Sequence, residues 1–145
     1  MMPRMYRQLG IAITLAAQAA CCAAAPELAC PQSIQEQSVK LENTPSGWST
    51  FVAAPLFLHG AEPMSGPPEE LGELADFDER HVKGAVIYTY KLDGKFPAGK
   101  WLACLYGEGD QIKLGKRLAD SIQVCSFTYR KGEHVGENKV AIKCE

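Results

Sequence analysis

The stretch Cys125-Ser-Phe-Thr-Tyr-Arg-Lys-Gly-Glu-His-Val-Gly-Glu-Asn-Lys-Val-Ala-Ile-Lys-Cys144 decides the fold. Ser126 to Tyr129 and Val140 to Cys144 read as the two arms of a β-hairpin, with Gly132 and Gly136 supplying turn conformations. Centring the loop between His134 and Val135 sets Cys125 against Cys144, Phe127 against Ile142 and Tyr129 against Val140. All three pairs share one face, because side chains alternate along a strand. A slip of one residue sets apolar against charged side chains, so the register is specified.

Of six cysteines, Cys21 and Cys22 fall in an N-terminal apolar segment, leaving Cys30, Cys104, Cys125 and Cys144. An even number in a small exported domain reads as two disulfides. The hairpin register favours Cys125–Cys144, with Cys30–Cys104 tying the N-terminal segment to the sheet. The alternative is Cys104–Cys125 with Cys30–Cys144. Each bridge contributes about 2–4 kcal/mol, a large share of a small domain's stability. There is no C-x-x-C pair, and His59, His81 and His134 are scattered, so neither a metal site nor a cofactor is expected.

Export is read from the beginning of the chain. Arg4 and Arg7 precede the apolar run Leu9 to Ala17, and small residues follow from Ala19 to Ala25. This is the pattern of a secretory signal peptide over residues 1–24, with Cys22-Ala23-Ala24 as the first choice of cleavage motif and Ala17-Gln18-Ala19 as the second. The run is too short for a membrane span, which needs roughly 20 apolar residues. Residues 25–145 are then expected to be one β-rich domain, periplasmic or secreted. Without Arg4 and Arg7, 13 basic side chains face 17 acidic ones, a balance that disfavours nucleic acid. The acids dominate up to Glu79 and the bases after it, which suggests a two-faced surface.

Between these ends the chain reads as strands joined by short links. Ile34 to Glu42 shows mixed alternation, and Trp48 to Leu58 is a strand candidate broken at Pro55. His59 to Pro68 reads as the longest loop. Pro68-Glu69-Glu70 opens a short helix with Leu71, Leu74 and Ala75 on its apolar face. Lys83 to Leu92 is the strongest strand. Trp101 to Tyr106 and Gln111 to Leu118 form a hairpin in which a symmetric loop sets Leu105 against Ile112 and Ala103 against Leu114. Trp48 and Trp101 are expected in the core. The sum is an all-β fold with one short helix, an antiparallel meander closed as a barrel or folded as a sandwich.

Catalytic machinery is not expected. No G-x-S-x-G or H-E-x-x-H occurs, and Ser65 beside His59 makes no triad. Glu69-Glu70 and Asp76 to Glu79 supply paired carboxylates of the kind a hydrolase uses, but acidic surface segments supply them without function. The segment from 59 to 70 is instead the candidate partner-binding loop, with His59, Glu62, Met64, Ser65, Glu69 and Glu70 as its presenting residues.

Several landmarks span nearly the whole chain after the leader. They are Cys30-Pro31, Gly47-Trp48, Phe57 with Gly60, Gly66-Pro67-Pro68-Glu69-Glu70, Trp101-Leu102-Ala103-Cys104-x-Tyr106, Cys125 and Cys144. They resemble a poorly characterised family of small exported Gram-negative proteins. The chain departs from that pattern by an insertion at Ala61 to Ser65. It is also similar, in architecture and compartment alone, to periplasmic lysozyme inhibitors. That resemblance implies a small disulfide-tied barrel that plugs a lysozyme with a loop, the acids from Glu62 to Glu79 complementing a basic enzyme. The expectation is an exported, non-enzymatic binding protein of the envelope with a protein partner. An envelope hydrolase using carboxylates and a structural subunit of an envelope assembly are the competing classes.

Overall fold

The computed structural model describes residues 27–145. The signal-peptide expectation for residues 1–24 lies outside the described residues. Eight strands follow in order: β1 (Ser33–Ile34), β2 (Leu56–Ser65), β3 (Asp78–Val82), β4 (Ala85–Lys91), β5 (Lys100–Tyr106), β6 (Ile112–Arg117), β7 (Val124–Lys131) and β8 (Asn138–Cys144). They form two four-stranded antiparallel sheets, β1-β2-β5-β6 and β3-β4-β7-β8. The sheets stay separate, so the architecture is the sandwich rather than the barrel.

The strands do not run as a simple meander. Successive hairpins alternate between the sheets, β4 joining β7 and β5 joining β2. The reason lies in β5. Leu102, Cys104 and Tyr106 fill one face of this strand and Ala103 and Leu105 the other, all of them buried. A strand apolar on both faces belongs inside a sheet with cover on both sides. Leu102, Cys104 and Tyr106 pack with Leu58, Tyr90, Cys125, Phe127 and Ile142 in the main core between the sheets. Ala103 and Leu105 join Met64 in a smaller cluster that Trp101 borders.

The β7–β8 ladder places Cys125, Phe127 and Tyr129 opposite Cys144, Ile142 and Val140. The disulfides join Cys125 to Cys144 and Cys30 to Cys104. The turn between β7 and β8 is closed by Glu137, whose carboxylate accepts the backbone N–H groups of Glu133 and His134, each at 2.8 Å. It also accepts Gln32 Nε2 at 2.8 Å. These bonds, led by those from His134, lower its pKa to about 2.

Five expectations are corrected. The β5–β6 register is shifted by one: Tyr106 pairs with Ile112 and Cys104 with Leu114. The loop is longer than the symmetric one, with left-handed turns at Gly107 (φ 82°) and Asp110 (φ 54°). Trp48 is 76 % exposed, not core, because the strand starts only at Leu56, after Pro55. The early strand shrinks to Ser33–Ile34, followed by a single 3₁₀ turn at Glu36–Ser38. The helix at Pro68 is one 3₁₀ turn, Pro68–Glu70, ending at an exposed left-handed Leu71. Finally, the expected long loop from His59 is mostly β2.

β2 is a strand because β5 pairs with it from Leu58 to Ser65. Pro63 is tolerated for a geometric reason. Ala61 and Ser65 direct their backbone groups away from β5, to Tyr129 and Gly72, and alternation puts the nitrogen of Pro63 on that same side. The acidic and basic halves also mix, since β2 from the acidic half pairs with β5 from the basic half.

Candidate partner-binding groove

Among the described residues, the outer edge of β2 is paired by β1 at Leu56 and Phe57 and by an isolated bridge to Glu73 at Met64. Further along, side chains of the other sheet take over. Tyr129 Oη accepts the Ala61 N–H at 2.8 Å and donates to the Ala61 carbonyl at 2.6 Å. Asn138 Nδ2 donates to the His59 carbonyl at 2.7 Å. These bonds satisfy edge groups that otherwise need a strand or water, and they hold the end of one sheet beside the other.

The junction leaves an open groove of about 430 Å³. Its floor is aromatic. Tyr88 meets Tyr129 edge-on at 5.4 Å between centroids and Phe77 at 5.3 Å. Phe77 also leans on Tyr90 at 5.4 Å. Gly60 and Leu105 form the facing wall, where a Cβ on Gly60 would come within 3.2 Å of Leu105 and 3.3 Å of the Tyr129 hydroxyl. The rim is charged: His59 Nδ1 lies 2.7 Å from Asp110, and His81 Nε2 lies 2.6 Å from Glu79. Burial pushes the Tyr90 and Tyr129 hydroxyls up to about 12, so both stay neutral phenols at any physiological pH.

Glu62 stands next to this groove, half-buried. Lys113 Nζ lies 3.5 Å from its carboxylate and 2.8 Å from that of Glu73. Burial raises the Glu62 pKa, Glu73 adds to the rise and Lys113 opposes it. The hydrogen bond that Lys113 donates to Glu73 raises the pKa of Lys113, holding it as a cation.

The structure thus sorts the residues expected in the 59–70 loop. His59 lines the groove, and Glu62 stands beside it, close enough for its charge to act on Tyr90 and Tyr129. Met64 has no exposed surface and packs in the smaller cluster, so it is not available to a partner. The Ser65 N–H is tied to the Gly72 carbonyl at 2.8 Å. Glu69 and Glu70 are exposed on the 3₁₀ turn. Glu79 belongs to the acids expected to complement a basic partner, whereas Phe77, Tyr88, Tyr90, Asp110 and Tyr129 were not foreseen as site residues. Their signal was the shared parity of Tyr88 with Tyr90, and of Phe127 with Tyr129, on two adjacent strands.

Chemically the arrangement suits binding. His59 and Ser65 sit six residues apart on one strand, roughly 20 Å at the usual rise, so they form no dyad. Among the described residues, no group of three His, Cys, Asp or Glu side chains could hold a metal ion. No described helix is long and apolar enough to cross a membrane. The two disulfides fit an oxidising compartment.

The chain is thus a small disulfide-tied β-sandwich with an open aromatic groove. The model of the Type VI secretion system Tli immunity protein family matches residues 53–145, and the chain belongs to this family. Membership implies a non-enzymatic protein whose partner is a toxin effector. The matched span contains β2 to β8 and three of the four paired cysteines, but not Cys30 or Gly47-Trp48. No curated protein and no solved structure matches the chain.

Proposed function

We propose that this protein acts in the periplasm as a stoichiometric antidote, covering a type VI toxin effector over the groove beside β2. The observation that carries the reading is the family match across the whole strand framework that builds the groove. Geometry supports the mode. Tyrosine and phenylalanine rings under a rim bearing Glu79 and Asp110 suit a cationic side chain, which rings attract through their faces and carboxylates through charge. The occupant is a lysine or arginine projecting from the effector.

The test is a titration of the oxidised protein against each type VI effector of the producing strain, purified as an inactive variant. The expected result is a saturable one-to-one complex with one of them, and protection of cells carrying the active toxin. Tyr88→Ala is expected to weaken that complex at least tenfold. Failure of the folded protein to bind any of these effectors overturns the proposal. The narrower form, in which the target is lysozyme-like, draws support from the exposed carboxylates Glu69 and Glu70, which complement a basic enzyme. Lysozymes of several types belong in the same titration, and absence of inhibition at excess removes this form alone.

A further inference from the structure

Residues 35–55 make a closed excursion from the sandwich. Their roots are held together, because Ile34 pairs with Leu56 and Cys30 is bonded to Cys104 just before the excursion begins. Beyond the 3₁₀ turn Glu36–Ser38, no helix or strand occurs up to Pro55. The Trp48 N–H donates to the Pro45 carbonyl at 3.1 Å, and Gly47 takes φ 82° at the third position of that turn. A Cβ added at Gly47 would meet nothing within 4 Å, so the turn projects into solvent.

This arm carries its large apolar side chains outward. Leu41 is 63 % exposed, Trp48 76 % and Phe51 89 %. At its C-terminal root, Pro55, Leu56 and Phe57 line a recess with Gly107 and Val135, and Val135 is itself 87 % exposed. Large apolar side chains left exposed along one short segment point to an interaction site, and tryptophan is among the residues that dominate interface energies. The part of the arm that bears Leu41, Trp48 and Phe51 also precedes the span matched by the family, which begins at residue 53.

We infer that residues 41–51 are a second anchor for the effector, Trp48 and Phe51 entering an apolar pocket on its surface and giving this chain its choice of partner. The inference rests on the effector-binding reading, since that reading supplies the occupant. Rooted at both ends and turned at Pro45 to Trp48, the arm loses less freedom on docking than a free tail does. The groove takes the charged part of the partner and the arm the apolar part.

The test uses the oxidised full-length mature protein and the effector that the titration above identifies. Trp48→Ala is expected to weaken binding at least about thirtyfold, the effect of losing a hot-spot anchor, and Trp48→Ala/Phe51→Ala further. Both variants keep the wild-type melting temperature, because neither side chain is packed. Chymotrypsin is expected to cut the free protein at Trp48 and Phe51 and to be blocked in the complex. Wild-type affinity in the double variant, or cleavage that the effector does not slow, overturns the arm while leaving the immunity reading standing. A wild-type dimer that the double variant converts to monomer makes the arm a self-interface and also overturns it. Absence of any bound effector removes both proposals together.

Discussion

The hairpin from Cys125 to Cys144 and the arm from Val39 to Pro55 are of similar length and opposite design. In the hairpin, every inward side chain meets a partner across the ladder, a disulfide closes the open end and Glu137 closes the turn. In the arm, only the roots are tied and the largest side chains face water. Apolar residues in the first stabilise the fold; in the second they are left for another molecule. Composition does not separate the two, since both contain aromatic rings and glycine turns. Periodicity does: the hairpin alternates strictly, and the arm does not.

Removing the disulfides strikes this contrast hardest. The Cys30–Cys104 bridge spans 74 positions and fastens the arm's root, whereas Cys125–Cys144 spans 19. Loop-closure entropy assigns about 4 kcal/mol to the first and about 3 kcal/mol to the second. Denaturant unfolding of the paired Cys→Ala variants is expected to show that order. Equal losses would mean that the arm is not held chiefly by its root.

A smaller effect is expected at the junction. Tyr129→Phe deletes both bonds to Ala61 and leaves a strand-edge N–H and carbonyl without their partner, a cost of about 1–3 kcal/mol. Unfolding by urea measures it, and a loss below about 0.5 kcal/mol would show that water replaces the hydroxyl.

Acid probes the turn. The folded-state pKa of Glu137, about 2, lies below the ordinary carboxylate value of 4.5. Its contribution is therefore present above the unfolded-state pKa and disappears as pH falls from about 4.5 towards 2. Glu137→Gln is expected to flatten the stability profile across that window. An unchanged slope would place the acid sensitivity elsewhere. The smallest effect belongs to the arm: Trp48→Ala is expected to shift stability by less than about 0.5 kcal/mol, as surface substitutions do.

The sheet class and the β7–β8 register were legible because alternation and paired cysteines specify both. The β5–β6 register was not, since apolar residues on both faces of β5 leave alternation silent and the long turn sets the offset. β2 was hidden by Gly60 and Pro63, which punctuate like a loop. The strand forms because β5 supplies its hydrogen bonds, a long-range cause. Trp48 was misplaced for the converse reason: a large ring suggests core, but nothing local says whether a facing surface exists. Of the six residues expected to face a partner, His59 lines the groove, Glu62 stands beside it and Met64 is buried. The tyrosine floor was missed because it forms only when β4 and β7, far apart in the chain, pair within one sheet.

Hydrogen–deuterium exchange of the oxidised protein, alone and saturated with its effector, tests the account most directly. The prediction is strong new protection at residues 41–51, together with slowed exchange around His59 to Glu62 and Phe77 to Glu79. Protection confined to the outer edge of β8, with the arm and groove exchanging as in the free protein, would contradict it.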